Sequence, residues 1–194
     1  MTAHTCLRWL TLGGGLAVIL GTLTGTAAAT VSEDPGALCS TLVPPDCSPV
    51  VKIKGDLRTK GGIAAAAALR QLGTPFSWGG GSSSGPTRGV GMGALTTGFD
   101  CSGLTLYAWS RAGVRLGHYT GAQFRQGRRV PLGDLRTGDL LFFGGGSGDP
   151  THVGLYLHGG VMIHAPKTGD VVRTTQFLNS PYYRAVFRGA VRPA

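Results

Sequence analysis

The feature that most constrains the fold is a change of hydrophobic period partway along the chain. Residues 63–72 (IAAAAALRQL) are strong helix formers and stop at Gly73. Residues 101–112 (CSGLTLYAWSRA) place Leu104, Tyr107, Ala108 and Arg111 at helical spacing, with Asp100 as N-cap and Gly113 as stop. After Pro131 the period becomes that of strands. Residues 139–143 are an apolar run, residues 152–157 alternate, His158, Gly159 and Gly160 make a hairpin turn, and residues 161–165 are the return strand. Residues 170–175 and 183–191 are expected to complete an antiparallel sheet. Helices first and strands later predict an α+β domain over residues 61–194. Between the two blocks, residues 79–98 form a Gly/Ser/Thr loop too long for a simple turn and expected beside a functional site.

The first sixty residues read differently. Arg8, an uncharged apolar stretch over residues 9–23 and the small residues Ala27, Ala28 and Ala29 together predict a cleaved signal peptide over residues 1–29. A retained membrane anchor is the competing reading, and Gly13, Gly14, Gly15 and Gly21 break the apolar run too early to favour it. Residues 30–60 carry Pro35, Pro44, Pro45 and Pro49 and predict an irregular extension. Within it, Cys39 and Cys47 (CSTLVPPDC) are expected to pair as a disulfide outside the cytoplasm. Cys6 leaves with the signal, so Cys101 remains as a single thiol in an exported protein, a candidate reactive group. The plainer alternative is a small buried apolar residue. Eighteen Lys and Arg against nine Asp and Glu give a formal charge of +9, which favours a polyanionic partner. With no basic run of five and no basic helix interleaved with aromatics, nucleic acid is disfavoured, which leaves an acidic membrane, the acidic polymers of a bacterial wall, or plain solubility.

Cys101 opens its helix, where unsatisfied N–H groups and the helix dipole favour a thiolate. His152 and His164 lie on two strands joined by a tight turn, at offsets that allow antiparallel pairing to set them side by side. Both are expected on the sheet face that meets the helix carrying Cys101. His152 could then take the thiol proton and His164 could fix its ring, the nucleophile, base and orienter arrangement of a triad. The residues alone leave open the plainer reading of two half-buried strand histidines. His118, in a loop, and His158, in the turn, read as solvated, and Asp139 as a turn residue before a strand. Cys101, His152 and His164 offer only three ligands without compact spacing, so no metal is expected.

The stretches TPFSWGGG (74–81), GFDCSGLTLYAW (98–109), LRTGDLLFF (135–143), THVGLYL (151–157) and VMIHAP (161–166) resemble the NlpC-type cysteine peptidases of bacterial cell walls, in the family's order. The resemblance covers about residues 61–190. It implies a papain-like α+β fold, with a helix-borne nucleophile packed on an antiparallel sheet. It implies Cys101 as nucleophile, His152 as base and His164 as orienting residue, with no metal or organic cofactor. The implied substrate is the peptidoglycan stem peptide, commonly cut between D-glutamate and a diamino acid, by a secreted protein with no stable membrane anchor once the signal is removed. Backbone N–H groups at the helix start are the expected oxyanion donors. Asp100 and Ser102 flank the nucleophile as caps or substrate contacts. Trp78 is a cleft wall or core residue, and Gly79 and Gly80 form a turn. One position departs from the family: Phe76 stands where tyrosine is common, and a lost oxyanion donor costs roughly 100- to 1000-fold in rate. A Cys–His amidase or acyltransferase and a non-catalytic wall-binding module are the competing functions.

Overall fold

The computed structural model describes residues 58–194. The expected signal peptide, nearly all of the Pro-rich extension and the expected pairing of Cys39 with Cys47 lie outside the described residues.

Helix α1 (Lys60–Leu69) begins where Thr59 Oγ1 accepts the Gly62 N–H at 3.0 Å. Its alanines give it both helix propensity and a thin profile: Ala64, Ala65, Ala67 and Ala68 have no exposed surface. Gly61 is required by close approach, since a Cβ there would collide with the Thr137 carbonyl. Helix α2 (Cys101–Arg111) packs on α1. It is capped by Asp100, whose Oδ1 accepts the Gly103 N–H at 2.6 Å, and it is followed by Gly113 at φ 75°. Leu104 and Ala108 are buried as expected, but Arg111 is exposed, while Thr105 and Trp109 are buried. The helix is covered by α1 on one side and a sheet on another, so its buried face is wider than one stripe. Trp109 Nε1 donates to the Gly138 carbonyl at 3.1 Å and ties α2 to the turn before the sheet.

The sheet has six strands, β3 (Arg128–Val130), β4 (Leu140–Phe143), β5 (His152–His158), β6 (Val161–His164), β7 (Arg173–Gln176) and β8 (Phe187–Arg192), in the spatial order β3-β8-β4-β5-β6-β7. Every neighbouring pair is antiparallel. One face buries Leu140, Phe142, Val153, Leu155 and Ile163 against α1 and α2; the other gathers Leu141, Phe143, Met162, Phe177 and Ala190. Burial on both faces explains why β4 reads as a continuous apolar run. The hairpin between β5 and β6 turns on Gly159 and Gly160, both at positive φ, as expected.

Two expected strands are corrected. Residues 183–191 are not one strand. Ser180 Oγ accepts the Tyr183 N–H, Pro181 supplies a preset φ, and the short helix α4 (Pro181–Ala185) forms before β8 begins. Strand β7 starts at Arg173 rather than at residue 170, because a turn closed by the Asp170 N–H on the Lys167 carbonyl occupies the preceding residues. The long loop of residues 79–98 is pinned rather than open. Strands β1 (Thr87–Arg88) and β2 (Thr97–Gly98) pair within it, and the buried Ser77 hydroxyl bridges the Gly93 and Thr96 carbonyls. Helix α3 (Thr120–Arg125) lies between α2 and the sheet in chain order. Asp139 precedes a strand as expected, and it is also buried in an ion pair with Arg192.

Candidate active site

The first turn of α2 brings Cys101 to the end of β5. The thiol is approached by the backbone N–H groups of Val153 and Ser102, and its Sγ lies 3.8 Å from Thr120 Oγ1. Val153 is the residue next to His152, so the nucleophile and the expected base meet at one strand end. The Asp100 carboxylate acts electrostatically on both Cys101 and His152. Gly103 is the close-approach position of this turn: a Cβ there would strike the Gly80 carbonyl and crowd His118.

His152 and His164 do meet, with Nε2 of the first 2.8 Å from Nδ1 of the second. Their expected face is corrected. Val153, Leu155 and Ile163 point to α2, whereas both imidazoles lie on the other face, against the rings of Phe143 and Tyr183. Parity along the strands tells which residues share a face, not which face the helix covers. Cys101 reaches the strand edge-on, from the end of its helix.

Of the two tautomer sets that these contacts allow, one leaves a basic nitrogen for the thiol. His152 Nε2 is engaged by His164, so Nδ1 is the ring nitrogen that can take the thiol proton. Nε2 then carries the hydrogen and donates to His164 Nδ1. His164 in turn donates from Nε2 to Thr175 Oγ1 at 2.8 Å. Sequence reasoning missed Thr175, one of several threonines without a pattern to single it out. Thr175→Val keeps the side-chain shape and removes the acceptor. It is expected to lower kcat about tenfold, the equivalent of one neutral hydrogen bond, with KM little changed and Thr175→Ser restoring the rate. Steady-state kinetics of the three proteins checks this.

The electrostatics overturn the expected resting thiolate. Burial, and then the adjoining Asp100 carboxylate, push the Cys101 thiol up to about 11 despite the helix start. Burial lowers His152 to about 4, and burial together with the neighbouring His152 and Arg173 lowers His164 to about 2. The resting pair is a neutral thiol beside a neutral imidazole, and the proton moves as the sulfur attacks. The acid limb of kcat/KM is therefore expected at about pH 4, where His152 gains a proton and stops accepting one. A limb at about 6.5, the value of a solvated imidazole, would oppose this site geometry.

Asp100 is a hub. Its Oδ1 accepts from Gly103 N–H and Ser102 Oγ and faces His118 Nε2 at 3.2 Å; its Oδ2 accepts from Gly79 N–H at 3.0 Å. Burial alone would raise this carboxyl, but the hydrogen bonds from His118 and Gly103 outweigh it and hold the group below 3.8. His118 is an exposed loop residue as expected, but it is tied to Asp100, and that bond raises it above 6.5. The pair contributes stability that is lost as pH falls through the depressed Asp100 value. It is lost again as pH rises above 6.5 through the raised His118 value. Ser102 is buried and its hydroxyl is committed to Asp100. Phe76 is buried in the cluster on which Cys101 packs. Trp78 is 59% exposed and lines a groove of 270 Å³ with Phe76, Met92 and Val171, a wall rather than a core residue. His158 ends β5, half-buried rather than solvated.

Comparison with known proteins agrees with this fold. Residues 73–192, more than half of the chain, match the NlpC/P60 family profile. The peptidoglycan endopeptidase RipA of Mycolicibacterium smegmatis is 46% identical over 107 residues, 55% of this chain and 21% of RipA. The gamma-D-glutamyl-L-lysine dipeptidyl-peptidase of Bacillus subtilis is 38% identical over 113 residues, 57% of this chain and 34% of that protein. The chain therefore spans about a third or less of the length of these relatives. The solved structure of RipD from Mycobacterium tuberculosis, described as a non-catalytic NlpC/p60 domain protein adapted to peptidoglycan binding, superposes with a TM-score of 0.61 at 37% identity. That likeness covers 71% of this chain and 99% of RipD.

Proposed function

This chain belongs to the NlpC/P60 family, and from that membership we propose that it is an exported cysteine endopeptidase cutting amide bonds in peptidoglycan stem peptides, between D-glutamate and a diamino acid. The observation that carries the reading is the thiol of Cys101 held at the Val153 N–H, beside an imidazole chain that runs from His152 through His164 to Thr175. The names of RipA and of the Bacillus dipeptidyl-peptidase support the substrate class and the glutamyl bond. Export rests on the sequence of residues 1–29, and the formal charge of +9 supports contact with anionic wall polymers.

The reaction divides into two steps. Cys101 Sγ attacks the amide carbonyl carbon while its proton passes to His152 Nδ1. The developing oxyanion takes backbone N–H groups at the start of α2, with no phenol at position 76 to assist. The tetrahedral adduct collapses to a thioester, the C–N bond breaks, and His152 gives its proton to the leaving amine. Water, deprotonated by His152, then cleaves the thioester and returns the thiol.

A wall-binding module is the second reading, favoured by Phe76 in place of tyrosine and by the likeness to RipD. Mass spectrometry of muropeptides incubated with the protein separates the readings. New termini inside the stem are expected. Stems that remain whole while the protein stays bound to wall would favour the module, and release of a side-chain amide alone would favour an amidase.

A further inference from the structure

At the far end of β5 from His152 lies a cavity of 680 Å³, an ordinary volume for a small-ligand site. Six residue steps along the strand, about 20 Å, separate His152 from His158 on the cavity wall. None of Cys101, His152 and His164 borders it. Three parts of the chain meet around it. The start of α1 brings Lys60, the turn before β4 brings Arg136, and the end of β5 brings Tyr156 and His158.

The charge here is unbalanced. Arg192 lies on the wall, and Arg128 stands opposite it across β3 and β8. The carboxylates of Asp139 and Asp134 both act on Arg192, and Asp139 is filled by that guanidinium and the Arg136 N–H. Lys60, Arg128 and Arg136 are exposed and have no ion-pair partner among the described residues. Even with the carboxylate of Ala194 at the rim, four cations meet only three anions. His158 adds an independent sign. Its Nε2 is buried and has no hydrogen-bond partner among the described residues, and a buried polar atom of that kind is matched by a group from outside the chain.

We propose that this cavity is a second binding site, which takes a phosphodiester of an anionic wall polymer. Lys60, Arg136 and His158 come from different elements, which suits the several oxygens of a tetrahedral phosphate. A flat carboxylate is best met by one guanidinium fork, and the most buried fork of this wall, that of Arg192, is already spent on Asp139. Half-buried Tyr156 offers an apolar face to the sugar or polyol that carries the phosphate. Because the site stands apart from the thiol, wall polymer and stem peptide bind at the same time. Holding the polymer raises the local concentration of stems at Cys101. The proposal rests on the wall-contact part of the reading above and not on the endopeptidase part. It gives one place to a contact that net charge alone leaves diffuse.

The test is titration calorimetry of the full chain with poly(glycerol phosphate) at low salt. Lys60→Gln combined with Arg136→Gln is expected to weaken binding about tenfold, with the difference shrinking as salt rises. Arg70→Gln combined with Arg115→Gln removes the same charge from exposed positions elsewhere and is expected to bind as the parent does. Thermal melts check that both variants fold. Polygalacturonate supplies carboxylates instead of phosphates, and vesicles of phosphatidylglycerol supply phosphates on a membrane; neither is expected to distinguish the two variants. The imidazole ¹⁵N signals of His158 are expected to move on saturation with poly(glycerol phosphate), and those of His152 to stay. No binding by the parent, equal losses in the two variants, the same discrimination with polygalacturonate or vesicles, or a shift at His152 without one at His158 overturns the site. Cleavage of stem peptides is measured in parallel. Site-dependent binding without cleavage refutes the endopeptidase reading and leaves the site standing, while cleavage with equal losses in the two variants does the reverse.

Discussion

Cys101→Ala is expected to lower stem-peptide cleavage by at least about 10⁴-fold while leaving the protein folded. The neutral thiol and neutral imidazole store no charge separation that another group could take over, and only substrate positioning and the backbone N–H donors would remain. The fold does not depend on the thiol. Asp100 organises the first turn of α2 through Gly103, Ser102 and His118, and those bonds survive the substitution. Muropeptide mass spectrometry reads the activity and a thermal melt reads the fold. A folded Cys101→Ala protein that cuts as fast as its parent would place the nucleophile elsewhere and sink the proposed mechanism.

The largest expected loss of stability lies far from the thiol, at Asp139. Its side chain is 1% exposed and accepts from Arg192 Nε and Nη2, both at 2.7 Å, and from the Arg136 N–H at 2.8 Å. Arg192 is itself only 14% exposed. Asp139→Ala takes the carboxylate from a guanidinium left with only the Asp134 carbonyl as partner, and is expected to cost about 3–5 kcal/mol. Against a total of roughly 5–15 kcal/mol this is a large fraction, and a fall in Tm of about 10–20 °C follows. Removing both partners at once, as Asp139→Leu with Arg192→Met, is expected to recover part of the loss, because no charge is then stranded. Thermal and urea melts at neutral pH check both variants. A loss below about 1 kcal/mol for Asp139→Ala would mean that the pair behaves as a solvated surface contact.

Much of this site was legible because its parts are local. The cap at Asp100, the helix after it, the alternation of β5 and β6 and the Gly159-Gly160 turn are written within a few residues each. The partnership of His152 with His164 follows from the hairpin. What stayed hidden depends on residues distant in sequence. His118 sits in an aperiodic segment and meets Asp100 in a loop that Gln123 ties to α2, through the carbonyls of Gly117 and Ser102. Thr175 becomes the end of the imidazole chain only once β7 docks on β6. The direction of the Cys101 shift is also tertiary: the helix start argued for a thiolate, while burial and Asp100 decide for the thiol. Strand β8 was obscured by α4, whose Ser180-Pro181 start is a signal that a strand reading of residues 183–191 passed over.

The position of β8 has a consequence for the order in which the molecule is assembled. It is the last strand in chain order, yet it fills the gap between β3 and β4. It also carries Arg192 to Asp139. A polypeptide synthesised N-terminus first has already delivered Cys101 and both imidazoles before the strand that closes their sheet arrives. Until then β4 has an open edge and a stranded carboxylate, and such long-range pairings form late. Closure of the sheet that carries both imidazoles therefore waits on β8, a strand that contributes no residue to the site itself.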